Sequence, residues 1–241
     1  MATIKSIDTA RTAKTGGIDL YFKRIFALMF GAVALTAMAS YFAIWGGGLR
    51  YLLNFQTGGF SALYYIILFG ALGISLWAQF RAFSMKPTTG ALVLGLYSVL
   101  MGIGLTPLIA VALSVNPASI LYAFIISAVM FGCMALFGYK TVKNLSFLGT
   151  FLMMGMIGLI LVGLASFIWP LGSTFATIVC FAGVLIFALF TAYDMQNLKN
   201  TYALVHDDTT RNQLAVLGAL HLYISFIAMF QYVLSLLNRN N

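Results

Sequence analysis

Long apolar runs separated by short polar connections organise this chain. Seven runs stand out, at residues 25–45, 60–80, 88–113, 119–139, 145–169, 174–194 and 214–237. Each holds roughly 20–26 residues, and about 20 are enough for a helix to cross a bilayer. Periodicity does not separate helix from strand inside a uniformly apolar run, but length does. A membrane-spanning strand needs only about 9–11 residues and alternates polar with apolar positions. None of these runs alternates cleanly. The pattern predicts an all-α integral membrane protein, a bundle of seven transmembrane helices over residues 25–241, preceded by a polar, basic tail at residues 1–24.

The connections carry turn signals, Asn116-Pro117 in one and Pro170-Leu171-Gly172 in another. Pro107 lies inside the third run and predicts a kink, either as plain packing or as an opened backbone lining a cavity. The first run contains Ala37-Met38-Ala39, a weak small-x-small pattern. It is nevertheless longer than the roughly 7–15 apolar residues of a cleaved signal, so it reads as a retained first span.

Composition sharpens the picture. Of the 241 residues 62% are hydrophobic and only 7% are charged, against roughly 25% charged in soluble domains. This excludes a soluble globular domain, a disordered chain and a nucleic-acid-binding module. The formal net charge is +8, from 13 Lys and Arg against five acids, all of them Asp. Counted on alternate sides of the seven spans, 11 basic residues fall with the amino tail, and two, Arg50 and Arg239, fall opposite. The positive-inside rule then puts the amino terminus in the cytoplasm and the carboxyl terminus outside. Small residues let helices approach closely. Gly90, Gly95, Gly102 and Gly104 in the third run, with Gly149, Gly155, Gly158 and Gly163 in the fifth, predict that both helices pack centrally. Cys133 and Cys180 lack metal-ligand spacing and read as small buried apolar residues. No internal repeat supports an inverted-repeat transporter.

Polar residues inside a span are costly, so each is a functional candidate. Asp194 closes the sixth run, and His221, Ser225 and Gln231 lie in the seventh. Asp194 is the only carboxylate in or beside a run. It reads either as an interfacial residue reaching water or as a functional group near a helix carboxyl end, where its charge opposes the macrodipole. His221 and Ser225 are one turn apart on one helix face. Enzyme classes drop out for want of parts. There is no Gly-x-Ser-x-Gly, no His-Glu-x-x-His and no Glu at all. Two His are too few for a multi-histidine metal site, and one carboxylate is too few for an intramembrane aspartyl protease. No enzyme activity, cofactor or metal centre is expected. His206, Asp207 and Asp208, adjacent in a loop, read as a solvated surface in preference to a divalent-cation site.

Three segments carry a resemblance. Tyr193-Asp194-Met195-Gln196-Asn197-Leu198-Lys199 resembles the Tyr-Asp-Thr-Gln-x-Leu-Lys signature of the Bax inhibitor-1 family. The stretch from Leu217 to Ile227 is similar to that family's last helix, and Lys143-Asn144-Leu145-Ser146-Phe147-Leu148-Gly149 to its loop entering the fifth. The resemblance to prokaryotic members implies a multi-pass protein of the cell (inner) membrane, with the C-terminal helix central among the other six. It also implies a pH-sensitive Ca2+ leak governed by two aspartates of the last two helices, which share a proton. One of these matches Asp194; the other falls at Ser225, so the carboxylate pair is absent here. Some bacterial members of the family act instead as partners of a membrane-bound ATP-dependent protease, a role without conduction in which the tail at residues 1–24 would be the contact.

Depth and inventory predict a replacement for the missing pair. Asp194 is the one carboxylate of the sixth helix, and His221 is the one titratable residue expected to face it, across a loop of about 15–20 residues. The expectation is an Asp194–His221 pair in which loss of the histidine's proton loosens the last helix. Ser225 would be a hydrogen-bond partner, and Tyr193, Gln196 and Arg81 supporting residues.

Overall fold

The computed structural model describes residues 2–54, 59–81, 85–166, 172–205 and 207–239, with side chains from residue 17 onward except at 79. The chain begins with helix α1 (Ala2–Trp45), a single turn α2 (Leu49–Leu52) and a minimal hairpin, β1 (Leu53–Asn54) with β2 (Gly59–Phe60). The hairpin is antiparallel and sets Leu53 opposite Phe60. Six helices follow: α3 (Ala62–Arg81), α4 (Pro87–Val115), α5 (Ala118–Lys140), α6 (Ser146–Ala165), α7 (Ser173–Leu204) and α8 (Asp208–Arg239).

Among the described residues six helices are long and apolar enough to cross a membrane: α1 from Gly17 on, and α4 to α8. The chain is a multi-span membrane protein. The second expected span, α3, carries a shorter apolar stretch, Ala62–Ala78. Helix α1 also runs through the expected boundary at residue 24, because Tyr21 and Phe22 are already buried in the core.

Helix α8 is the most enclosed. Its most apolar window is 72% buried, against 11–44% in the other five spans. It packs on α7, α1, α4 and α5, and Leu222, Tyr223, Met229 and Leu234 are sealed from solvent. The Tyr223 hydroxyl lies 2.6 Å from Thr36 Oγ1, which reaches the carbonyls of Ala32 at 2.9 Å and Ser98 at 3.1 Å. Because Thr36 gives its proton to a carbonyl, Tyr223 donates to Thr36, and the polar groups are satisfied within a dry core. Helix α4 continues through Pro107. One turn before it, the Gly102 carbonyl accepts from Ser40 of α1 at 2.6 Å and from Thr106 at 3.1 Å.

Three expectations fail here. The glycine-rich α6 is not central: it is the least buried span at 11% and packs chiefly on α7. A Cβ at Gly149 or Gly155 would meet α7, whereas one at Gly158 or Gly163 would meet nothing within 4 Å. Its glycines mark one seam, not an enclosed position. Cys133 is exposed, and only Cys180 is buried. The loop between the last two helices is short, since α7 ends at Leu204 and α8 begins at Asp208. Polar residues continue both helices beyond their apolar runs, leaving Asp194 about 15 Å from the end of α7 at 1.5 Å per residue. It therefore sits outside the last turn, and the macrodipole argument does not apply to it.

Asp207 caps α8. Its Oδ2 accepts from the Thr210 backbone N–H and from the Thr210 hydroxyl, both at 2.8 Å. The backbone N–H first, and then the hydroxyl, hold this carboxyl below the usual range. Asp208 pairs with Arg211 at 3.4 Å. These contacts occupy the two carboxylates within the helix start, while His206 lies outside the described residues. A carboxylate with a depressed pKa contributes stability that is present above its unfolded pKa and lost as pH falls through the folded value. Asp207→Ala is expected to lower the thermal midpoint at neutral pH, and Asp207→Asn, an equally good cap, to leave it unchanged. Equal midpoints for all three proteins would refute the cap.

Candidate functional site

Helices α6, α7 and α8 enclose a groove of about 510 Å³. Each contributes one face at helical spacing. From α6 come Ser146, Thr150 and Met153, from α7 Phe187, Phe190, Tyr193, Asp194 and Asn197, and from α8 His221 and Ser225. The structure thus brings together Asp194, His221, Ser225 and Tyr193, four residues singled out from the sequence. Ser225 is buried at 3% exposure. Tyr193 seats its ring against Gly149, where a Cβ would come within 2.8 Å of ring carbons.

The segment from Tyr193 to Lys199 divides its side chains between two tasks. Tyr193, Asp194 and Asn197 face the groove. Gln196, buried at 7% exposure, faces the opposite way. Its Oε1 accepts from the Leu145 backbone N–H at 2.8 Å, and its Nε2 donates to the Lys143 carbonyl at 2.7 Å. The Lys199 ammonium donates to the Tyr139 carbonyl in the last turn of α5 at 2.7 Å and lies 5.3 Å from the centre of the Tyr139 ring. A cation there complements the carboxyl end of a helix. Gln196 and Lys199 therefore clamp the end of α5 and the start of α6, which explains physically why residues 143–149 and 193–199 form one structural unit.

Asp194 and His221 share the groove without a hydrogen bond or ion pair between them. Among the described residues the only ion pair is Arg211–Asp208, and no hydrogen bond joins the Asp194 carboxylate to the His221 ring. Among the described residues no Lys or Arg lines the groove. Arg81 is exposed at the end of α3, which packs on α2 and α4, and does not line the groove. Sequence reasoning passed over Thr150, a further polar group on the lining. Thr150 lay within its reach, as a polar residue in a span one turn after Ser146.

Chemically, the groove offers one carboxylate, one imidazole and neutral oxygens. Among the described residues no group of three or more His, Cys, Asp or Glu is placed to hold a metal ion. Ca2+ held firmly takes six to eight oxygen ligands. An arrangement with a single carboxylate attracts a hydrated cation without trapping it.

The chain is similar to several bacterial proteins. It is 34% identical over 220 residues to the inner membrane protein YbhL of Escherichia coli K12, covering 90% of this chain and 91% of that one. It is 32% identical over 236 residues to the uncharacterised protein RP147 of Rickettsia prowazekii, covering 97% and 96%. An uncharacterised protein of Caulobacter vibrioides is 38% identical over 187 residues, covering 77% of this chain and 73% of its own. The profile of the family described as inhibitor of apoptosis-promoting Bax1 matches residues 19–241. With nearly the whole chain matched, this multi-span membrane protein belongs to the Bax inhibitor-1 family.

Proposed function

We propose that the protein is a pH-sensitive cation leak, with Ca2+ as the transported ion, and that the groove between α6, α7 and α8 draws the cation in. The observation that carries this reading is the Asp194 carboxylate, unpaired among the described residues and facing a groove whose described lining holds no Lys or Arg. His221, on the same groove, takes the regulatory place of the absent second aspartate and acts on Asp194 through its charge. The sign follows from charge. With Asp194 ionised and His221 protonated, the two cancel; when His221 loses its proton, the groove is net negative. Protonation of Asp194 in acid moves the charge in the same direction. The groove becomes more attractive to cations as pH rises, and histidine ordinarily changes charge in the range from pH 5 to 8. Tyr193 is the other titratable side chain on the lining, and α6 contributes none. The test is Ca2+ flux into liposomes bearing the purified protein, from pH 4 to 8. Flux absent at every pH would remove this reading. It would leave that of a non-conducting partner of a membrane-bound ATP-dependent protease, testable by pull-down with and without residues 1–24.

The same reading takes α3 as a seventh span and α8 as the helix the others surround, with the amino terminus cytoplasmic and the carboxyl terminus outside. The enclosure of α8 and the 11-to-2 division of basic residues support it. Reporter fusions after Asn116 and Gly172 are expected to read outside, and fusions after Pro87 and Asn144 inside. If all four read the opposite side while the amino terminus stays cytoplasmic, α3 does not cross; two consecutive fusions on the same side would instead remove the span between them.

A further inference from the structure

Two large cavities lie away from the polar groove, of about 870 and 520 Å³. They meet at Val33, Phe124 and Phe226, which line both. Together they form one fissure with α1 on one side and α5 on the other, helices that at most graze each other. Its floor comes largely from Phe226, Ile227 and Phe230 of α8. At one end stand Asp19 and Lys23, the only charged residues on the described lining. At the other stand Tyr41 and Trp45, exposed at 59% and 75%.

We propose that a phospholipid with a primary-ammonium headgroup occupies this fissure, its acyl chains between α1 and α5 and its headgroup on Asp19 and Lys23. The dimensions fit a bilayer. From Lys23 to Trp45 α1 rises about 33 Å at 1.5 Å per residue, close to the roughly 30 Å of the hydrocarbon core. Aromatic residues such as Tyr41 and Trp45 settle at the far interface. Apolar cavities do not hold water, so the occupant of a fissure this apolar is hydrocarbon. The headgroup follows from the two charges. Asp19 and Lys23 are one helical turn apart on one face and make no ion pair with each other. Lys23 takes the phosphate and Asp19 the ammonium, each through a charge-assisted hydrogen bond. An anionic headgroup leaves Asp19 facing like charge, and a quaternary ammonium has no N–H to donate. Neighbouring residues of the same two helices face the two cavities: Met195 and Phe226 line the fissure, whereas Asp194 and Ser225 line the groove. A bound chain therefore presses on the wall that carries Asp194.

The test is native mass spectrometry of the full chain released from micelles containing equal amounts of phosphatidylethanolamine, phosphatidylglycerol and phosphatidylcholine with identical acyl chains. Wild type should retain phosphatidylethanolamine over the other two by about fivefold, the upper range for one exposed charge contact. Asp19→Asn should erase its advantage over phosphatidylglycerol, and Lys23→Gln should lower retention of all three. Gly132 lines the fissure, and a Cβ there meets nothing within 4 Å. Gly132→Phe should therefore lower retention of every lipid, while Gly158→Phe, in open space on α6, should not. Equal retention of the three headgroups by wild type, or a preference for phosphatidylglycerol, would overturn the proposal. So would undiminished retention by a monodisperse Gly132→Phe protein. Both charge variants alter exposed side chains, so the headgroup arms stand even if Gly132→Phe fails to fold.

Discussion

Asp194→Asn is expected to reduce the Ca2+ leak at pH 8 by at least about tenfold and to flatten its pH profile. The side chain keeps its shape but replaces the one described carboxylate on the groove by a neutral amide. A unit charge about 4 Å from a cation is worth about 4 kcal/mol per unit of cation charge at an effective dielectric constant of 20. Desolvating the ion offsets part of that, yet a surplus of only about 1.4 kcal/mol is tenfold in rate. His221→Ala has the opposite signature at low pH. With no imidazolium facing Asp194, the leak in acid should rise toward the wild-type value at pH 8. Read in one series, the two variants separate the roles. A leak that survives Asp194→Asn would put the conduction path elsewhere. A pH profile unchanged in His221→Ala would leave Asp194 as a solitary gate and reject its coupling to His221.

Gly138→Ala should carry the largest cost to folding. A Cβ at Gly138 would lie on the Ala192 carbonyl oxygen and 2.8 Å from the Ala192 Cα and carbonyl carbon. All three atoms are backbone of α7, two residues before Asp194, so no side chain can turn aside. Helix α5 would have to move away. That movement would break the bond from Lys199 to the Tyr139 carbonyl. Overpacking of this kind costs about 1–3 kcal/mol, outweighing the roughly 1 kcal/mol by which Ala is the better helix former. Gly132 on the same helix supplies the contrast, because its Cβ position is open. Gly132→Ala should be neutral or stabilising by up to about 1 kcal/mol. Thermal unfolding of the two variants in one detergent decides the matter: a Gly138→Ala midpoint no lower than that of Gly132→Ala would show that α5 and α7 do not cross so closely.

Legibility in the sequence followed the physics of each signal. Bilayer insertion acts on every residue of a span at once, so apolar run length alone located α1 and α4 to α8 and named the class of protein. Polar residues are rare in such runs, so Asp194, His221 and Ser225 stood out one by one, and the signature around them placed the chain in its family. Boundaries were less legible where helices continue into polar sequence. α7 extends to Leu204 and α8 starts at Asp208, because hydrogen bonding and the Asp207 cap, not hydrophobicity, set those ends.

Which faces meet was decided by the tertiary structure alone. Glycine content made α4 and α6 look alike, yet α6 packs chiefly on α7 while α4 packs on α1, α3, α5 and α8. In lipid an apolar helix loses nothing by facing outward, so apolar sequence does not reveal which helix is enclosed. Composition also could not tell that Gln196 and Lys199 turn away from the groove to clamp the loop between α5 and α6. Nor could it show that Arg81 stands apart from the groove, or that Asp194 and His221 share one groove without pairing. Those are matters of rotation about a helix axis, where one residue step turns a side chain by about 100°, and only the packing of neighbouring helices sets that rotation.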